Sequence, residues 1–211
     1  MRRTLRLFCL FALLVTATVA HADIAEQRRR LPPPPENGCT DPIAGDWQSQ
    51  FWTRGSWLVR TLRLRRVTPG APQLNGVELV EAWYGPHTVE SRPTCAPGSS
   101  IGWYLGESTL SGSFDGARID VQAAPFQLRS ILCGAFSSYS PDHFRGTLES
   151  AGTELHTRND DGRNPETTVV FRRVSCVDGS TAPSPPPPPT PFVAPPPPRA
   201  EEGCASYLPG R

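Results

Sequence analysis

The chain has 211 residues, a formal net charge of +1, 25 prolines, 18 glycines and six cysteines. A balance so near neutral argues against a surface built for nucleic acid or an anionic membrane, which needs a cationic excess. All 21 basic residues are arginine, a bias that a GC-rich bacterial genome imposes through its codons.

Arg2, Arg3 and Arg6 precede an apolar run from Leu7 to Ala20, and Ala20-His21-Ala22 is a small-x-small cleavage site. This pattern predicts a secretory signal peptide over residues 1–22 and a secreted or periplasmic mature protein. The run falls short of the about 20 residues a membrane span needs, and no later segment is apolar enough, so no transmembrane segment is expected. Residues 23–38 form a Pro-rich arm containing Pro32 to Pro35. Its Arg28-Arg29-Arg30 run is offset by Asp23, Glu26 and Glu36.

Residues 39–176 are the folded domain, with 13 Arg against 14 Asp plus Glu. Arg60, Arg63, Arg65 and Arg66 are its one basic cluster and read as the solvated part of a strand. Five cysteines follow the cleavage site: Cys39, Cys95, Cys133, Cys176 and Cys204. Outside the cytoplasm they oxidise. Five choices of the odd cysteine and three pairings of the rest give about 15 connectivities. A bridge Cys39–Cys176 would clasp the two ends of the domain, stabilising it by roughly 4 kcal/mol through loop closure. That pairing leaves Cys95–Cys133 within the domain, and Cys204 free to reach a disulfide-linked partner.

Strand signals recur through the domain and no long amphipathic helix appears. Trp57 to Val67 and Val77 to Tyr84 come first, then Ile101 to Leu105. Leu110, Gly112 and Phe114 alternate with serines up to Asp115-Gly116, and Ala117, Ile119 and Val121 alternate beyond it. Asp-Gly accepts the positive φ of a tight hairpin turn. Phe126 to Phe136, Phe144 to Glu149, Glu154 to Arg158 and Thr167 to Cys176 complete the set. About eight short-looped strands predict an all-β fold. An antiparallel β-barrel comes first, because it leaves no open edge, and a β-sandwich second. Disordered Pro-rich tails are expected to flank it.

Ile43-Ala44-Gly45-Asp46-Trp47 opens the domain, and Phe171-Arg172-Arg173-Val174 lies on its last strand. Together these resemble the lipocalin and wider calycin families. The resemblance implies that Trp47 closes one barrel end, with Arg172 or Arg173 across it as a cation–π partner. Without the resemblance, Trp47 reads as a core aromatic. Some bacterial calycin-like proteins inhibit secreted proteases, and the sequence resembles those as well.

Catalytic patterns are weak. Gly98-Ser99-Ser100-Ile101-Gly102 matches a nucleophile motif, but that motif needs a strand before it and a helix after it. Ser100 therefore reads as a loop serine. His87, His143 and His156 lack the spacing of a zinc helix, and Asn159-Asp160-Asp161-Gly162 reads as a turn and not a calcium loop. No metal, cofactor or catalytic residue is assigned, and the chain is read as non-enzymatic. The aromatic pairs Trp83-Tyr84 and Trp103-Tyr104 are the ligand-binding candidates, since adjacent strand residues put one ring on each face.

Pro183 to Pro198 holds 11 prolines in 16 residues, a stiff linker over residues 177–198 that reaches roughly 50 Å in polyproline II. Residues 199–211 are a short tail. The expected function is a binding or interaction module for a small apolar ligand, a glycan or a protein. The alternative is a protease inhibitor that inserts an extended arm from Asp23 to Cys39, and a third reading, ranked last, is a hydrolase with Ser100 or a histidine in a catalytic role.

Overall fold

The structure is a computed structural model that describes residues 24–36, 38–92, 94–95, 102–134, 136, 138–149, 152–164 and 166–176. The signal segment, Ser100, the Pro183 to Pro198 tract and Cys204 lie outside the described residues. Nine strands follow in order: β1 (Gly45–Thr53), β2 (Ser56–Arg66), β3 (Gln73–Tyr84), β4 (Trp103–Phe114), β5 (Arg118–Ala123), β6 (Gln127–Cys133), β7 (His143–Glu149), β8 (Glu154–Asp160) and β9 (Thr167–Cys176). Every pairing is antiparallel, and β1–β2–β3–β4–β5–β7–β8–β9 closes on itself as an eight-strand barrel with β6 as an extra strand.

The alternating pattern explains the wall. In β1 the inward residues are Trp47, Ser49 and Phe51, and in β5 they are Ile119, Val121 and Ala123. The hairpin turn at Asp115-Gly116 forms as its chemistry dictates. Gly116 has φ 103°, and Asp115 Oδ1 accepts from the backbone N–H of Ala117 and Arg118 at 3.0 and 2.7 Å. The expected strand segments Ile101 to Leu105 and Leu110 to Phe114 fall on one continuous strand, β4, from Trp103 onward, with Ile101 outside the described residues.

That long strand carries two partners on one edge. Its lower half, Leu110 to Phe114, pairs with β5, and its upper half, Trp103 to Glu107, pairs with β6. β6 is thus a continuation of β5 after a break, where Phe126 turns inward. Gly106 makes room for it: a Cβ there would lie 1.8 Å from Phe126 Cζ. β7 follows β5 and not β6, so the wall is split at the upper end, where Phe136 and Tyr139 pack on Phe126.

Both disulfides are within the domain: Cys39–Cys176 joins the first and last segments, and Cys95–Cys133 anchors the end of β6. The first part of the N-terminal arm is not extended: residues 24–30 are helical, and Gln27 and Arg28 contact β9 and β8. β1 and β9 pair only over Gly45–Gln48 and Arg172–Cys176, so their upper halves part. Gln27, 2% exposed, fills the seam: its Nε2 donates to Thr168 O at 3.0 Å and its Oε1 accepts from Val170 N–H at 2.9 Å. No helix among the described residues is long and apolar enough to cross a membrane.

Candidate functional site

The barrel base is closed by the chain start. Trp47, fully buried, donates from Nε1 to Ile43 O at 2.9 Å. Arg173, register partner of Trp47, holds its guanidinium carbon 4.4 Å from the indole centroid and donates to the carbonyls of Asp41 and Pro42. Arg172 points outward instead, to Glu154 at 2.8 Å and to the carbonyls of Leu31 and Pro32. Above the base the interior is lined by a buried apolar cluster that includes Leu62, Leu64, Leu74, Leu110, Phe114, Leu155 and Phe171.

A polar layer lies over that core. Arg60 belongs to the solvated cluster expected on β2, but it shares the inward parity of Leu58, Leu62 and Leu64 and is 3% exposed. Glu78, fully buried, takes the inward parity of Leu74, Val80 and Ala82. Ser49 is the register partner of Arg60, and Ser108 that of Glu78. The loop before β7 supplies Tyr139 and Asp142, and β8 supplies Asn159.

Asp142 is the hub. It accepts from Arg60 Nε at 3.1 Å, Arg60 Nη2 at 3.3 Å, the Tyr139 hydroxyl and Asn159 Nδ2. Four donors suit a carboxylate. Arg60 Nε also lies 3.3 Å from Glu78 Oε1. Burial works against the charge on Arg60, but Asp142, Tyr139 and Glu78 outweigh it and raise its pKa. Burial, then the Asp142 charge, push Glu78 well above the carboxylate range, with Arg60 opposing. Arg60 and Asp142 form a compensated ion pair. Several atoms of the layer have no hydrogen-bond partner in the protein: Arg60 Nη1, Asn159 Oδ1 and the hydroxyls of Ser49 and Ser108, while the Glu78 carboxyl has the charge contact with Arg60 in place of a hydrogen bond. Buried polar atoms ordinarily find partners, so such a cluster marks a site.

A cleft of about 250 Å³ opens above this layer at the barrel mouth. Arg60, Asp142 and Asn159 form its floor, and Phe51, Tyr104 and Tyr139 stand among its walls. Ser138, Ser140, Asn164 and Arg163 reach its rim. Burial, then the neighbouring Tyr84, push the Tyr104 hydroxyl up to about 12.

The four aromatic candidates do not converge. Trp83 and Trp103 are register partners on the outer face. Trp83 is 2% exposed, packs against Trp57 at 6.3 Å and donates to Val89 O at 3.2 Å. Trp103 donates to Glu81 Oε1 at 3.0 Å and lies under Arg92. Tyr84, on the inward parity, is exposed at the rim, and Tyr104 alone lines the cleft. The three histidines also stay apart. His87 packs on Trp52 and Trp57, His143 pairs with Asp120, and His156 with Glu154. Among the described residues no group of three or more His, Cys, Asp or Glu could hold a metal ion. The Asp160–Asp161 segment is a turn, with Asp161 Oδ1 accepting from Arg163 and Asn164 N–H.

Sequence reasoning missed Arg60, Glu78, Tyr139, Asp142 and Asn159. A signal existed for the first two: each is a charged residue standing on the apolar parity of its strand.

No family model, no curated protein and no solved structure matches the chain. What the fold and site define is a closed eight-strand antiparallel barrel with an apolar base and a polar, open mouth.

Proposed function

We propose that this chain is a secreted, non-enzymatic binding module of calycin-like build that holds a small polar molecule in the barrel mouth. Export is supported by the signal-like N-terminus and by two disulfides that persist in oxidising compartments. Calycin-like build is supported by Gly45, Trp47 and Arg173 meeting at the closed base. The observation that carries the binding reading is the set of buried, unpartnered polar atoms beneath an open cleft. Pockets combine apolar walls with a few convergent polar groups, as here. A polar occupant is favoured over an apolar one because Arg60, Asp142, Asn159, Ser138 and Asn164 line the cleft. The inhibitor alternative loses its motive, since residues 24–31 lie against the barrel and not free to enter a cleft.

Native mass spectrometry of the exported, oxidised protein tests this reading. The expected result is a one-to-one adduct of a small polar compound that Tyr104→Ala weakens. An adduct-free protein whose mouth resonances ignore a library of small polar molecules would overturn it.

A further inference from the structure

The atoms that the polar layer leaves unpartnered also point to the class of occupant. This inference rests on the binding reading above. Arg60 and Asp142 compensate each other through two contacts of 3.1 and 3.3 Å. An occupant with a full charge on the floor would find its countercharge already engaged. What the floor offers instead is one donor, Arg60 Nη1, and one acceptor, Asn159 Oδ1, on side chains 3% and 8% exposed. A group that both donates and accepts can meet either member of such a mixed set, and a ring bearing several alcohol hydroxyls presents such groups on several sides. The walls fit the same chemistry. Phe51, Tyr104 and Tyr139 give apolar ring surface for C–H faces, while Ser138, Ser140 and Asn164 give the rim further hydroxyl and amide partners. A cleft of about 250 Å³ is on the scale of one ring and not of a chain.

We propose that the mouth takes one polyhydroxylated ring, with hydroxyls meeting Arg60 Nη1 and Asn159 Oδ1. A free monosaccharide and the terminal unit of a glycan carry the same chemistry.

The test uses the exported protein with both disulfides intact. Titration calorimetry and saturation-transfer NMR are run with D-glucose, D-galactose, N-acetyl-D-glucosamine and D-glucuronate, against acetate, citrate, phosphate and glycine. A glycan array forms the second arm and separates terminal from free sugar. Saturable one-to-one binding of at least one sugar is expected. Ser138→Ala and Asn164→Ala, both at the rim, should each weaken it roughly three- to tenfold, the effect of one lost hydrogen bond. Tyr104→Ala should weaken it more than tenfold, and Tyr104→Phe, which keeps the ring, should do so less if Tyr104→Ala proves poorly folded. Binding of carboxylates or glycine with no response to any sugar would overturn the sugar assignment and leave the binding reading standing. Silence to every probe, together with adduct-free native spectra, would overturn both.

Discussion

Arg173 and Trp47 face each other across the β1–β9 pairing, and the guanidinium carbon lies 4.4 Å from the indole centroid. The same arginine grips the carbonyls of Asp41 and Pro42, so one side chain ties the last strand to the segment before the first. Arg173→Ala should cost roughly 2–4 kcal/mol, combining a cation–π contact with lost charge-assisted hydrogen bonds. A double-mutant cycle with Trp47→Phe, read by urea unfolding, should show a coupling of about 0.5–2 kcal/mol. Additive losses would mean that the two residues merely neighbour each other.

The disulfides differ in span, 137 residues for Cys39–Cys176 and 38 for Cys95–Cys133. Chain entropy favours the longer loop by about 1 kcal/mol, before native-state effects. Removing both cysteines of a pair should therefore cost more for the first bridge. Denaturant midpoints of the two Ser–Ser double variants give the order directly, and a reversed order would show that the unfolded chain is not the main target.

Two glutamates give opposite pH dependence. Burial alone would raise Glu154, but hydrogen bonds from Arg172, His156 and Arg28 win and hold it at about 2, against 4.5 when unfolded. Its depressed value means that its stabilisation is complete above the unfolded pKa and is lost as pH falls from 4.5 toward 2. Glu78 is raised when folded, so its contribution is full below its unfolded value of 4.5 and declines as pH climbs above it. Stability profiles between pH 2 and 9 (an assay range of about 7 pH units) should show the consequences. Glu154→Gln should flatten the acid limb and cost on the order of 2 kcal/mol at neutral pH, because half of its partners are near solvent. Glu78→Gln should flatten the decline that begins above pH 4.5 and leave the limb below it alone.

Gln27 completes β9 with a side chain in place of a strand. Gln27→Ala strands one buried N–H and one carbonyl, a loss of roughly 2–4 kcal/mol. Hydrogen exchange at the Val170 amide is the specific readout. It should lose protection locally, beyond any change shared by β8 and the rest of β9.

Gly106 is where Phe126 enters the barrel. A methyl group there would overlap the ring at 1.8 Å, and the ring is backed by Phe136 and Tyr139. Gly106→Ala should cost about 1–3 kcal/mol and expel the ring. Increased binding of a hydrophobic dye would report the opened wall. An unchanged melting temperature with no dye binding would show that the wall can absorb the methyl.

Local chemistry was legible in the sequence. Asp115-Gly116 specifies a turn, strict alternation specifies β5, and the need to clasp the chain ends points to Cys39–Cys176. The adjacent aromatics split across the wall as strand geometry requires. What the sequence concealed depends on partners far along the chain. Arg60 and Glu78 break the alternation of charge with exposure, and the buried arginine finds its countercharge in Asp142, 82 residues beyond it. The helix at residues 24–30 has too few turns to show periodicity, and its buried glutamine makes sense only beside a seam in the wall. The join of β5 to β6 is hidden for a similar reason, since Phe126 reads as strand until the glycine opposite it is known.

The split beside β6 means that one panel of the upper wall is connection and not ladder. The connection between β6 and β7 can gain or lose length without moving the register of any strand in the ring. The aperture can therefore diversify between related chains while the lower barrel, fixed by pairing and by a covalent clasp, stays constant.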